Sequence, residues 1–367
     1  MKVYRQIVRG FDYVTLTCAL LLVLTGLLTV FSSAYKAGLG EVEHYFSRQM
    51  MWALLGLAAM MVAIIVDYRF MARFAYYFYA GTLALLVFLL FTGKEVQGAQ
   101  RWIRVMGVNL QPSEFVKVST LFVLARYLDD VREDIRRKRF LVLAIVLAGV
   151  PSGLIVLQPD LGTGLVLVAL LGGMLFAANA NPRHLLALVI SGFVMVPVFW
   201  HFLKDYQKAR LLSFVNPNVD PLGSSYQVIQ SKIAVGAGGL TGKGLLAGTQ
   251  SQLNFLPEQH TDFIFSVFAE QWGFLGSCVL VALYLTLLFQ SIKIARASRD
   301  FLGSMLVVGI ITIMAFQVLV NLLMTVGLMP VTGIPLPFMS YGGSNLLAVM
   351  ACVGLLLGVN TRSHIFL

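Results

Sequence analysis

Apolar runs of about 18 to 25 residues recur along the whole sequence, and a run of that length crosses a hydrocarbon core of roughly 30 Å as a helix. Ten can be read, at about residues 13–33, 48–66, 73–92, 112–128, 139–157, 161–178, 184–202, 263–291, 301–329 and 340–360. Backbone groups in lipid must be satisfied within their own segment, so each run is expected to be a helix. Of 367 residues, 58% are hydrophobic and 12% charged, too little polar sequence to clothe a water-soluble domain of this size. The expected fold is an all-α polytopic membrane protein, a single integral domain over residues 1–367. No small-residue cleavage site follows the first run, which reads as a retained helix and not a signal peptide.

The net charge is +10. With the N-terminus inside, more than half of the 27 Lys and Arg fall in short inner segments, among them Arg132, Arg136, Arg137, Lys138, Arg139, Lys293, Arg296 and Arg299. The short outer loops hold only Lys36, Arg48, Lys94, Arg101 and Arg104, so an N-in, C-in topology is expected. Basic residues dispersed in this way, without interleaved aromatics, argue against a nucleic-acid partner. Cys18, Cys278 and Cys352 lie inside apolar runs with no ligand spacing and read as small buried apolar residues.

One connection is far longer than the rest: residues 203–262, between the seventh and eighth spans, form a large loop on the outer side. Long loops in compact proteins are usually functional or disordered, and this one keeps a regular set of apolar positions. Its stretch Tyr226 to Val235 has helical periodicity suited to an amphipathic helix in the interface. The following GAGGLTGKGLLAG invites a phosphate-loop reading that fails. Ala237 stands where a glycine is required, Gly244 follows Lys243 where Ser or Thr is required, and no strand precedes it.

Four stretches carry candidate chemistry. FLPEQHTDFIFSVFAEQWG (255–273) puts Glu258, His260, Asp262 and Glu270 at the mouth of an apolar run, where ionisable residues are costly and mark function. Asp262 is placed to cap the helix that follows, a role compatible with catalysis. An extended 258–262 segment would turn Glu258, His260 and Asp262 to one side. Glu270 then needs a partner within the bundle. GAQRWIRVMGVNLQPSE places Arg101, Trp102 and Arg104 at the outer interface, as snorkelling and belt residues or as a binding set. Glu114 and Lys117 follow on one helix face, expensive unless they line a polar cavity. In QPDLGT, Asp160 is either a turn former or a functional carboxylate. The uncharged GLMPVTGIPLPFMSYGGSN offers Thr332, Ser340, Tyr341 and Ser344 on non-helical backbone, tolerated at membrane depth where it lines a cavity. On the outer side Arg101, Lys117, Arg210 and Lys243 provide cations beside the carboxylates, a set suited to a lipid-linked phosphate.

Taken together, RWIRVMGVNLQPSEFVK, LQPDLGT, FLPEQHTDFIFSVFAEQWG and VTGIPLPFMSYGGSN, in this order over ten spans, resemble the SEDS family of bacterial cell-wall polymerases, over essentially the whole chain. PEQHTDFIFSV with PLPFMSYGGSN is closer to the elongation (RodA) type than to the division (FtsW) type. The resemblance implies a peptidoglycan glycosyltransferase that polymerises lipid II at the outer face of the bacterial cytoplasmic membrane. The implied partner is a class B penicillin-binding protein that crosslinks the strands, with further elongation-complex membrane proteins around it. It also implies an essential aspartate at Asp262, a functional tryptophan at Trp102, motif residues at Glu114 and Lys117, and a cavity aspartate at Asp160. Arg101, Arg210, Lys243, Glu258, His260, Ser340 and Ser344 complete the expected substrate-binding set. A divalent cation, Mg or Mn, would suit the departing diphosphate, and no organic cofactor is expected. A lipid II flippase, or a scaffold in which Asp262 only caps a helix, are the other readings of the same residues.

Overall fold

The computed structural model describes residues 11–35, 41–92, 102–105, 108–216, 223, 225–253 and 255–365. Each expected run carries a helix: α1 (Tyr13–Ala34), α2 (Glu41–Ile65), α4 (Ala75–Thr92), α5 (Pro112–Asp130), α6 (Lys138–Leu157), α7 (Leu161–Ala177), α8 (Pro182–Phe202), α12 (Ile264–Ala297), α13 (Phe301–Thr325) and α14 (Gly343–Ile365). Six are long and apolar enough to cross a membrane, and α4, α7 and α8 are shorter apolar helices. Short helices fill the connections: α3 (Tyr68–Arg73) before α4, and α9 (Asp205–Val215), α10 (Tyr226–Ala237) and α11 (Thr249–Gln252) in the long loop. The fold is all-α as expected, with one small hairpin added. Ile103–Val105 (β1) pairs antiparallel with Val108–Leu110 (β2), in the stretch between α4 and α5 where no strand was expected.

Polar residues fix where several helices start. Asp12 accepts from Val14 N and Thr15 N ahead of α1, Asn181 from Arg183 N ahead of α8, and Asp300 from Gly303 N ahead of α13. Each satisfies a donor that a first helical turn leaves unpaired. α13 runs through the middle, packed on α5, α7, α12 and α14, and α2 lies along α14. Leu121, Leu124, Leu170, Met174, Leu306 and Ile310 are fully buried between them. The outside is equally apolar: Phe91 is 84% exposed and Phe193 74%. So broad an apolar surface suits lipid and not water. Cys278 belongs to that exposed surface, which corrects its expected burial, whereas Cys18 and Cys352 are buried.

At the bundle end carrying Asp300, that carboxylate takes hydrogen bonds from Tyr68 Oη at 3.0 Å and Arg69 Nε at 2.7 Å. Arg362 donates to Ile64 O and Ile65 O, satisfying the last carbonyls of α2.

The eighth span is not one helix. α12 breaks at Gly273, whose φ of 67° and ψ of −164° are non-helical. In an unbroken helix Phe274 N would donate to Glu270 O and Leu275 N to Gln271 O. Here the glycine-rich loop takes those places: Lys243 N donates to Glu270 O and Gly244 N to Gln271 O, while Phe274 N and Leu275 N donate to Gly239 O and Leu240 O. The four backbone groups that the break would orphan are thereby paired, as burial requires. A Cβ on Gly242 would lie 2.1 Å from Gln271 O, so the splice depends on bare backbone there.

Candidate active site

Residues 258–263 form a tight turn, not the extended segment expected for them. Glu258 has a φ of 50°, and its carbonyl accepts from both Thr261 N and Phe263 N. A turn closes more hydrogen bonds within the segment than an extended strand with no partner strand, so Glu258, His260 and Asp262 are not aligned by twos. The residue preceding α12 is Phe263, which makes no side-chain capping hydrogen bond.

The last connection and α13 together hold this turn. His260 O accepts from Tyr341 N at 2.8 Å, Thr261 O from Ser340 Oγ at 2.7 Å, and Asp262 O from Asn321 Nδ2 at 3.0 Å. Ser340 Oγ also accepts from Leu336 N. The Asp262 carboxylate lies over Gly333, where a Cβ would meet its Oδ2 at 3.6 Å. The His260 ring packs against Tyr45 and Tyr341, with centroids 4.7 and 5.8 Å away. The Arg48 guanidinium acts electrostatically on the Tyr341 hydroxyl, bringing a cation to this aromatic group. Gln49 closes it, donating to Ser340 O and accepting from Gly342 N.

Asp160 reaches the same connection from the other side. It precedes α7, accepts from Thr163 N and Thr163 Oγ1, and takes a hydrogen bond from Gln111 Nε2 at 3.3 Å. Gln111 N in turn donates to Ser344 Oγ, so the starts of α5, α7 and α14 are tied together. Gly162 abuts Thr332, where an added Cβ would lie 2.6 Å from its carbonyl. Residues 332–334 are thus bordered by the starts of both carboxylate-bearing helices. Tyr206 of α9 donates to Pro159 O, and Arg210 lies over the Tyr206 ring at 5.8 Å. That places Arg210 on the Asp160 side of the site.

Other expected residues stand apart from this group. Lys117 Nζ lies 2.8 Å from Glu114 Oε2, both almost fully buried. They border a cavity of about 20 Å³ with Gln317, Met314 and Cys352. Lys243 pairs with Glu270, which is fully buried and also accepts from Thr249 Oγ1 and Gln250 N. That carboxylate is the anchor of α11 and of the helix splice. Trp102 is half-buried immediately before β1, and Arg101 lies outside the described residues. No cluster of three His, Cys, Asp or Glu able to cage a metal ion is found among the described residues. α10 is the helix expected near Tyr226, but Ser231 hydrogen-bonds Ser266 Oγ and Thr325 O. It is packed on the bundle through that serine.

Asn321, Gln111, Arg48 and Gln49 were not singled out from the sequence. Asn321 did leave a signal, as an amide inside an otherwise apolar run, where a polar group needs a stated partner.

A family model described as "Cell cycle protein", FTSW_RODA_SPOVE, matches residues 12–365. The chain is 38% identical over 369 residues to a "Probable peptidoglycan glycosyltransferase FtsW" of Geobacter metallireducens, covering 97% of this chain and 96% of that one. It is 39% identical over 354 residues to "Peptidoglycan glycosyltransferase MrdB" of Escherichia coli, covering 96% and 95%. Among solved structures, a chain of "a peptidoglycan synthase complex" that coordinates polymerization and crosslinking superposes with a TM-score of 0.82 at 34% identity, covering 96% of this chain and 98% of that one. The crystal structure of the Thermus thermophilus rod shape determining protein RodA superposes with a TM-score of 0.72 at 29% identity, covering 96% and 97%.

Proposed function

The chain belongs to the FtsW, RodA and SpoVE family of cell cycle proteins and is a peptidoglycan glycosyltransferase, and on that premise we propose that it polymerises lipid II into glycan strands with Asp262 as general base. The carrying observation is the position of Asp262, whose carboxylate is set over Gly333 by a turn held at three successive carbonyls. In the proposed step Asp262 takes the proton of the acceptor 4-hydroxyl. The hydroxyl oxygen bonds to the anomeric carbon of the donor sugar, and the bond from that carbon to undecaprenyl pyrophosphate breaks, with inversion. Base catalysis of this kind supplies about 10² to 10⁴ in rate.

Asp160, bordering residues 332–334 from the opposite side, and Arg210 beside it are the groups assigned to the substrate's polar head. A Mg or Mn ion would fit here as a counter-ion of the diphosphate, held by one carboxylate together with substrate oxygens. The further binding roles of Arg101, Trp102, Glu258, His260 and Ser344 are part of the same proposal. For Lys243 and Ser340 the observed partners favour supporting roles.

The charge distribution supports an N-in, C-in topology with the site on the outer face, and the family resemblance supports a place in the cytoplasmic membrane. A class B penicillin-binding protein as partner is supported by the similarity to a chain of a synthase complex that couples polymerization to crosslinking. A role in elongation rests on the PEQHTDFIFSV and PLPFMSYGGSN stretches. Purified protein given labelled lipid II should make glycan that Asp262→Asn does not. Equal product from that variant would remove Asp262 from the chemistry.

A further inference from the structure

Three consecutive carbonyls, His260 O, Thr261 O and Asp262 O, are each held by a donor from the last connection or from α13. One donor is the backbone N–H of Tyr341, and the other two are side chains, Ser340 and Asn321. Both are shut off from solvent, Ser340 at 1% and Asn321 at 0% exposure. Asn321 uses its amide as a fork: Nδ2 donates to Asp262 O at 3.0 Å and to Ile334 O at 2.8 Å. Two carbonyl partners require a donor, so the nitrogen of the amide must face them. The fork therefore joins the residue carrying the carboxylate to the residue after Gly333, over which that carboxylate lies.

We infer that Asn321 and Ser340 are positioning residues for glycosyl transfer, a side-chain clasp that sets the distance between the Asp262 carboxylate and the 332–334 floor of the site. The inference rests on the reading of Asp262 as general base. Neither side chain touches substrate. A base must lie within hydrogen-bond reach of the proton it removes, and a shift of about 1 Å in a positioned group costs as much as 100-fold in rate. The backbone needs such a clasp because this turn begins at a residue with positive φ, Glu258. Ser340 serves both ends at once, since its hydroxyl accepts from Leu336 N while donating to Thr261 O. The Nδ2 group of Asn321 and the hydroxyl of Ser340 are thus committed to backbone.

The test compares full-length wild type, Asn321→Ala, Ser340→Ala and Asp262→Asn in lipid II polymerisation. Rates are referred to folded protein, measured by size exclusion and thermal melting. The clasp variants should lose about tenfold to 100-fold in kcat while KM for lipid II stays within about twofold. A purely structural role would lower the melting temperature and leave kcat of the folded fraction unchanged, which would overturn the inference. A raised KM at unchanged kcat would do the same, by making these residues part of the binding surface. If Asn321→Ala does not fold, Ser340→Ala decides, and failure of both to fold assigns the clasp to stability alone. Full activity in Asp262→Asn would remove the base reading itself. Loss in Asp262→Asn with normal kcat in both clasp variants would remove only the clasp.

Discussion

Lys243 and Glu270 are joined twice: Lys243 Nζ lies 3.0 Å from Glu270 Oε1, and the Lys243 backbone N–H donates to the Glu270 carbonyl at 3.0 Å. The charge pair and the splice into α12 are one structure. Glu270 is fully buried and accepts from both the side chain of Thr249 and the backbone of Gln250. Removing its carboxylate leaves several donors unsatisfied, whereas removing Lys243 leaves the other bonds in place.

Glu270→Ala should therefore destabilise the protein by about 3 kcal/mol or more, as loss of one partner from a buried pair does. Lys243→Met should cost less, about 1 to 3 kcal/mol: it leaves the buried Glu270 carboxylate without its counter-charge, but that carboxylate keeps its hydrogen bonds from Thr249, Gln250 and Ser251. Thermal melting in detergent checks the order. Equal losses in the two variants would separate the charge pair from the anchoring of α11.

The glycines of the splice give a sharper contrast. Gly239 and Gly242 both have positive φ, 55° and 80°, but a Cβ on Gly239 meets open space while one on Gly242 lies 2.1 Å from Gln271 O. Gly239→Ala should cost only the backbone strain, about 1 to 2 kcal/mol. Gly242→Ala should cost distinctly more and expose the 238–248 loop to limited proteolysis. Similar stability of the two variants would count against the splice.

At the site itself, Gly333→Ala puts a methyl group 3.6 Å from Asp262 Oδ2 at a φ of 70°. The strain is about 1 to 2 kcal/mol, which a folded protein can absorb, but the methyl narrows the space over the floor. Polymerisation should fall at least tenfold in protein that still elutes as a folded monodisperse species. Wild-type turnover would place the acceptor elsewhere.

The Glu114 and Lys117 pair is buried beside Gln317, whose amide has no hydrogen-bond partner in the described structure. Lys117→Met alone should destabilise by about 3 to 5 kcal/mol, since it strands a buried carboxylate. The double variant Glu114→Gln with Lys117→Met should be closer to wild type. A double variant less stable than the single one would show that the charges contribute more than they cost.

Apolar run length located all ten principal helices, because in lipid a segment of that composition has no other way to pair its backbone. The same reading picked out Asp262, Asp160, Glu114 and Lys117, because ionisable residues beside apolar runs are few. Extended geometry for 258–262 was not found, since local spacing cannot register that Glu258 takes a positive φ and closes a turn. The hairpin at Ile103–Leu110 was also missed, as strands of three residues leave almost no periodic signal.

The sequence by itself determined the places of the ten principal helices and the residue types available for chemistry, because both follow from composition over short windows. Only the tertiary structure decided which of those residues stand together. Asn321 is 59 residues from Asp262 along the chain, and Gly273 is breakable only because residues 238–244 arrive to pair its freed backbone. Such pairings depend on contacts between distant segments, which neither run length nor local spacing encodes.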